Sequence, residues 1–136
     1  MKLPLTILLF IHAVFSGFAQ EGPQYQISIY FGGGSYYISR DQRITLQEFL
    51  KGIPHVEQFN ITIHSHTDNI GGVEFNDWLS QMRSQSAMEE LLLNNIRQEM
   101  VEIKDFGLHN PVYDNSTWEG RIKNRRVDIF LWPLAL

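Results

Sequence analysis

The chain has 136 residues with 11 basic and 15 acidic side chains, a formal net charge of −4, and no cysteine. An acidic, thiol-free sequence of one domain's length excludes a disulfide framework and a thiolate metal site. It also excludes lipid attachment through an N-terminal cysteine and non-specific nucleic-acid binding across the whole surface. Stability must then come from a core, for which 9 Phe, 5 Tyr and 3 Trp supply the material.

Met1-Lys2 is followed by a mostly apolar run from Leu3 to Phe18, and Gly17-Phe18-Ala19 places small residues three and one positions before a cut. The pattern predicts a signal peptide over residues 1–19, a mature N-terminus at Gln20 and one domain over residues 20–136. An uncleaved membrane anchor is the rival, against which the shortness of the run counts. Export follows from both. Removing Lys2 with the signal leaves 10 basic against 15 acidic residues, a charge of −5.

Along the mature chain, Tyr25–Phe31 alternates apolar and polar residues as a strand should, and Gly32-Gly33-Gly34 ends it. Ser39–Leu50 reads as an amphipathic helix with Ile44, Leu46, Phe49 and Leu50 inward, stopped by Gly52 and Pro54. A second strand is predicted over about Gln58–Ser65, and a second helix over about Val73–Asn94 with Phe75, Leu79, Met82 and Leu91 near one face. Met100–Ile103 is a short third strand, Gly107–Gly120 a polar loop, and Arg126–Trp132 an alternating closing strand. The order β-α-β-α-β-β predicts a two-layer α+β fold, with helices on one face of a mixed four-stranded sheet.

The chain is organised around Ile61–Arg83. There a strand stops at Thr67-Asp68, Gly71-Gly72 turn the backbone, and a long helix opens behind them. Such a corner is a common way to build a small anion or zwitterion site. Asp68 and Arg83 lie fifteen residues apart on opposite sides of it, a pair suited to gripping one ligand by its two charged ends.

Ser-His-Thr-Asp at 65–68, Gly71, Phe75-Asn76, Leu79-Ser80 and Arg83 resemble the pattern G-H-T-D-x-x-G-x-x-x-[YF]-N-x-x-L-S-x-x-R-A. Gly107, Asn110-Pro111, Asn115, Thr117, Gly120-Arg121 and Asn124 to Ile129 resemble G-x-x-N-P-x-x-x-N-x-T-x-x-G-R-x-x-N-R-R-V-E-I. Both patterns belong to the OmpA C-terminal-like (OmpA/MotB) peptidoglycan-binding domain, and the likeness spans about Ile27 to Phe130. The resemblance implies a non-catalytic module, needing no cofactor or metal, that holds the diaminopimelate of a peptidoglycan stem peptide. It gives the ligand's ammonium to Asp68 and its carboxylate to Arg83. Asn76 adds a neutral hydrogen bond, and Thr67, Gly71 and Leu79 belong to the same corner. Arg125 or Arg126 should reach the rim, and strand alternation allows only one of them to do so. The expected setting is periplasmic, or peripheral to the outer membrane, with an outer-membrane protein as a further partner and no nucleic acid. Gly34 stands where the family usually has a polar residue lining the pocket, so one side-chain contact is missing there.

Plainer readings stand beside these. Asp68 can serve only as an N-cap, Arg83 can pair with Asp77 or Glu89, and the basic run Arg121, Lys123, Arg125 and Arg126 can be a solvated edge. His64-Ser-His66-Thr-Asp68 also resembles the zinc-binding run of metallo-β-lactamase-like hydrolases. Asn69 replaces the last histidine of that run, and the chain is short for that fold. A third reading is an interaction scaffold with an eroded pocket, docking through Phe130, Leu131, Trp132, Leu134 and Leu136.

Overall fold

A computed structural model describes residues 22–135, so the signal-peptide reading of residues 1–19 lies outside them. The element order is β1 (Tyr25–Tyr30), α1 (Arg40–Lys51), β2 (Phe59–His66), α2 (Val73–Leu93), β3 (Val101–Gly107), α3 (Trp118–Asn124) and β4 (Arg126–Pro133). Single 3₁₀ turns at Val56–Gln58 and Gln98–Met100 lead into β2 and β3.

The strands lie in the order β1-β4-β2-β3. β4 is antiparallel to both β1 and β2, and β2 is parallel to β3. Three strands therefore share one direction and β4 opposes them, which is the mixed four-stranded sheet expected. Alternation along the strands sorts the two faces. Ile29, Ile61, Ile63, Val127, Ile129 and Leu131 point to one side and share a core with Leu46 and Leu50 of α1 and Ala87 and Leu91 of α2. The two long helices therefore cover the same face. Ser28, His64, Asp128 and Arg126 alternate with those residues and belong to the other face.

Local chemistry sets the helix ends. Ser39 caps α1 by accepting from the Gln42 N–H, and Asn94 closes α2. Ile44 departs from expectation, being 42 % exposed. It lies two residues before Leu46, about 200° around a helix, so it cannot share that residue's inward side. Phe75 is likewise exposed and Met82 only half-buried. The buried stripe of α2 is instead Asn76, Leu79, Ser80, Arg83, Ser84, Ala87 and Leu91, which is mostly polar in its first three turns.

β3 continues four residues past the predicted Ile103, because its pairing with β2 does not depend on the charged Lys104 and Asp105 being buried. The predicted loop after Gly107 closes with α3, too short for periodicity to mark. The apolar tail largely completes the sheet: Leu131 is in the core, the Trp132 indole N–H donates to Thr62, and the Leu134 N–H donates to the Gln58 carbonyl. Among the described residues no helix is long and apolar enough to cross a membrane.

Candidate functional site

Since β1, β2 and β3 run the same way, the corners that follow them meet at one end of the sheet, where β4 begins. Residues 32–35, residues 67–72, Gly107 and Arg125 are brought together there from four parts of the chain. The Thr67 N–H donates to the Gly107 carbonyl (2.8 Å), and the Phe31 N–H donates to the Arg125 carbonyl (2.9 Å), which locks the corners to each other.

The β2 corner is built by short polar contacts. Gly71 has φ +94, and a Cβ there would stand 2.9 Å from the Phe75 ring, so glycine is required on both counts. Asn76 is fully buried and its amide donates to the Ile70 carbonyl (3.0 Å) and the Gly72 carbonyl (3.2 Å), holding the turn closed. Thr67 is buried and its hydroxyl donates to the Asp68 carbonyl. Behind them, Ser65 on β2 and Ser80 on α2 bond through their hydroxyls, and Ser80 also accepts from the Gly107 N–H (3.0 Å). This small serine network pins α2 over the ends of β2 and β3.

Asp68 is 6 % exposed. One carboxylate oxygen accepts from the Ile70 N–H (3.1 Å) and the other from Arg125 Nε (2.7 Å). The N-cap of α2 is Gly72, with no side chain bonded to the cap, so Asp68 is not serving as that helix's cap.

Arg125 is delivered by the segment that α3 ends. Asn124 is fully buried: its amide donates to the Tyr113 carbonyl and Asn115 Oδ1, and its oxygen accepts from the Tyr113 N–H. Thr117 caps α3 by accepting from the Gly120 N–H (3.0 Å). A Cβ on Gly120 would fall 1.8 Å from the Asp114 carbonyl oxygen, so the loop folds tightly onto the helix only with glycine there. The Arg125 guanidinium then lies 5.2 Å over the Trp118 ring, and a Cβ on Gly33 would stand 3.5 Å from it.

Arg83 is 1 % exposed and lies behind this pair. Its Nε donates to the Ser35 carbonyl (2.8 Å), Nη1 to the His66 carbonyl (3.0 Å) and Nη2 to the Gly32 carbonyl (3.1 Å). It also stands 5.0 Å over the Phe31 ring. Burial lowers its pKa to about 10, opposed by the Asp68 carboxylate, so the group remains a cation at neutral pH. It is neither solvated nor paired with Asp77 or Glu89.

A small cleft adjoins these groups, lined by Gly33, Gly34, Asp68, Ile70, Gly71, Phe75, Leu79 and Arg125. Asp68, Gly71, Leu79 and Arg125 thus reach it directly. Thr67, Asn76 and Arg83 sit beneath and shape its walls. Sequence reasoning did not single out Gly33 or Ile70 as lining residues, nor Trp118 as the ring against Arg125. Trp118 stands at a variable position of the motif, between Thr117 and Gly120, in a stretch with no periodicity to mark it, so the sequence carried no signal for its role.

Arg126 goes to the opposite face, as alternation requires. Its Nε bonds both Asp128 oxygens at 3.0 Å, and its guanidinium lies 5.2 Å over the Tyr113 ring. His66 Nε2 is 3.8 Å from Asp128 on the same face, and its ring stacks on Phe106 at 5.3 Å. Burial, reinforced by the Arg126 charge, lowers the His66 pKa to about 4. His64 packs edge-on between Phe106 and Phe130. Among the described residues no group of three or more His, Cys, Asp or Glu is placed to hold a metal ion. With Asp68 bonded to Arg125 and His66 directed to Asp128, the three zinc candidates do not converge.

Fold and site together define a small α+β domain with a buried carboxylate–guanidinium pair in the wall of a cleft. The OmpA family model matches residues 30–125, and the chain belongs to that family. The outer-membrane lipoprotein YfiB of Pseudomonas aeruginosa is 30% identical over 113 residues, covering 82% of this chain and 67% of that protein. The peptidoglycan-binding protein ArfA of Mycobacterium tuberculosis is 34% identical over 104 residues, 74% of this chain and 31% of its own length. Among solved structures, the peptidoglycan-associated lipoprotein of Burkholderia pseudomallei superposes with a TM-score of 0.71 at 27% identity, covering 77% of this chain and 89% of that one. The chain therefore spans two thirds of YfiB but only about a third of ArfA.

Proposed function

We propose that the protein is a non-catalytic binder of cell-wall peptidoglycan, acting in the periplasm or at the outer membrane. The cleft over Asp68 takes the diaminopimelate of the stem peptide. The observation that carries this reading is the Asp68–Arg125 bridge at 2.7 Å in the wall of a cleft. A free amino-acid end carries one ammonium and one carboxylate. It can replace the bridge by giving its ammonium to Asp68 and its carboxylate to Arg125, so neither protein charge is left unpaired. Arg83 lies beneath, keeps the carbonyls of both corners turned inward, and adds fixed positive charge on the carboxylate side. The task needs preorganised charge and shape, with no general base or nucleophile. The names of ArfA and of the Burkholderia lipoprotein, both tied to peptidoglycan, support the same ligand class.

The test is sedimentation of purified protein with diaminopimelate-type sacculi. The parent should bind saturably. Asp68→Asn and Arg125→Ala, each checked for folding by circular dichroism, should each weaken binding about ten- to a hundredfold, the worth of a charge-assisted hydrogen bond. Absence of parental binding would refute the ligand class. Undiminished binding by both folded variants would move the contact elsewhere.

A further inference from the structure

We infer that Tyr36, Phe75 and Trp78 form an aromatic ledge that stacks on a sugar ring of the glycan strand while the adjoining cleft holds the stem peptide. The inference rests on the peptidoglycan reading above and extends its site from the peptide to the saccharide.

Three large rings stand in the open beside the cleft. Tyr36 is 41 % exposed, Phe75 44 % and Trp78 45 %. They touch one another: Phe75 and Trp78 lie 5.8 Å apart at 36°, and Trp78 and Tyr36 lie 5.9 Å apart at 88°. The group is held in place. Phe75 and Trp78 share one side of α2, and the Tyr36 carbonyl accepts from Ser86 Oγ on the same helix (2.8 Å). Contact among exposed rings at fixed angles makes a preorganised surface, which lowers the entropy cost of stacking something on it.

The ledge is continuous with the cleft, because Phe75 lines both. That continuity selects the occupant. In the proposed ligand, diaminopimelate is the third residue of a peptide whose first residue is joined to a muramic acid ring. Two intervening residues span about 7 Å when extended, and the linkage to the ring adds a few more. Trp78 stands one ring-to-ring step of 5.8 Å beyond Phe75 at the cleft edge and Tyr36 a further 5.9 Å from Trp78, so the ledge lies within that reach. The C–H face of a pyranose is apolar and seats on an aromatic ring, whereas its hydroxyl and acetamido edges stay in water. An exposed ledge suits that division better than a closed pocket would. Trp78, the largest of the three and the one at the centre, is the residue expected to carry most of the contact.

Isothermal titration of the purified protein separates the two claims. The probes are the tripeptide L-alanyl-D-glutamyl-diaminopimelate and the same peptide attached to the N-acetylglucosaminyl-N-acetylmuramyl disaccharide. The parent should bind the disaccharide form about three- to tenfold more tightly, the range for one aromatic contact. Trp78→Ala should bind both probes with the parent's affinity for the bare tripeptide. Equal parental affinity for the two probes would overturn the ledge while leaving the peptide cleft standing. So would a Trp78→Ala loss common to both, or no loss at all. Failure of the parent to bind the tripeptide would instead remove the peptidoglycan reading itself, and the ledge with it.

Discussion

Replacing Arg83 by alanine should unfold much of what the site depends on. Three guanidinium nitrogens donate to three main-chain carbonyls, those of Gly32, Ser35 and His66, from a side chain that is 1 % exposed. Each such bond to a charged donor is worth about 1.5–3 kcal/mol in isolation. The three are not additive, because Gly32 and Ser35 lie at an open corner where water can replace the lost donor. The His66 carbonyl lies deeper and bears the full penalty. The cost of keeping the cation buried, visible in its pKa of about 10, offsets part of the gain. The net expectation is a loss of about 3–5 kcal/mol, the usual result of removing one partner from a buried charged network. Against a typical domain stability of about 5–15 kcal/mol that is a large share. Urea titration followed by circular dichroism should show the midpoint falling by roughly 2 M at unchanged slope. Arg83→Lys should recover only a small part, since one ammonium cannot span three diverging carbonyls. An Arg83→Ala protein with the parental midpoint that had lost only its affinity for sacculi would refute the argument. The guanidinium would then be held for the ligand and not for the corners.

Gly120→Ala should cost stability by steric overlap alone, because its Cβ would lie 1.8 Å from the Asp114 carbonyl oxygen. Overpacking of this kind costs about 1–3 kcal/mol, so Tm should drop by several degrees, and an unchanged Tm would mean the loop is not fixed as described. His66 predicts a pH dependence. Its folded pKa is lowered to about 4, below the 6.5 of the free imidazole, so the unfolded chain binds the extra proton between those values. Stability should therefore be level above about pH 6.5 and decline as pH falls towards 4, with His64 adding in the same direction. Thermal melts across that window should show a flatter profile for His66→Gln, and equal slopes would rule out His66 as a source.

Much of the fold was legible because its periodicities are unmixed. Tyr25–Tyr30 alternates cleanly and pairs as a strand, and α1 and α2 begin and end at the signals their sequences carry. What hid was whatever breaks a single period. α3 is seven residues long, under two turns, and is defined by Thr117, Gly120 and Asn124 bonding to the loop before it. The extension of β3 was masked by Lys104-Asp105 on an edge strand that has no need to alternate. For the site, motif spacing named the corner residues, but letters do not say which side chains face solvent. Arg83 and Arg125 are both arginines of the pattern. Only the packing of α2 puts one behind the cleft wall, and only the folded loop ahead of β4 puts the other in it.

The last strand in sequence occupies an inner position in the sheet. Before β4 is in place, β1 has no neighbour and β2 pairs only with β3, so the core face exists as two separate pieces. Insertion of Arg126–Pro133 joins residues about a hundred positions apart in one step, as in the Ser28–Asp128 side-chain bond across the β1–β4 pair. Folding of this topology is governed by that late, distant closure and should be slow for the chain's size. A nascent chain consequently keeps β1 unpaired and β2 paired on one side only until residue 133 is free to enter. The same event that completes the sheet brings Arg125 beside Asp68, so the ion pair in the cleft wall forms only when the fold is finished.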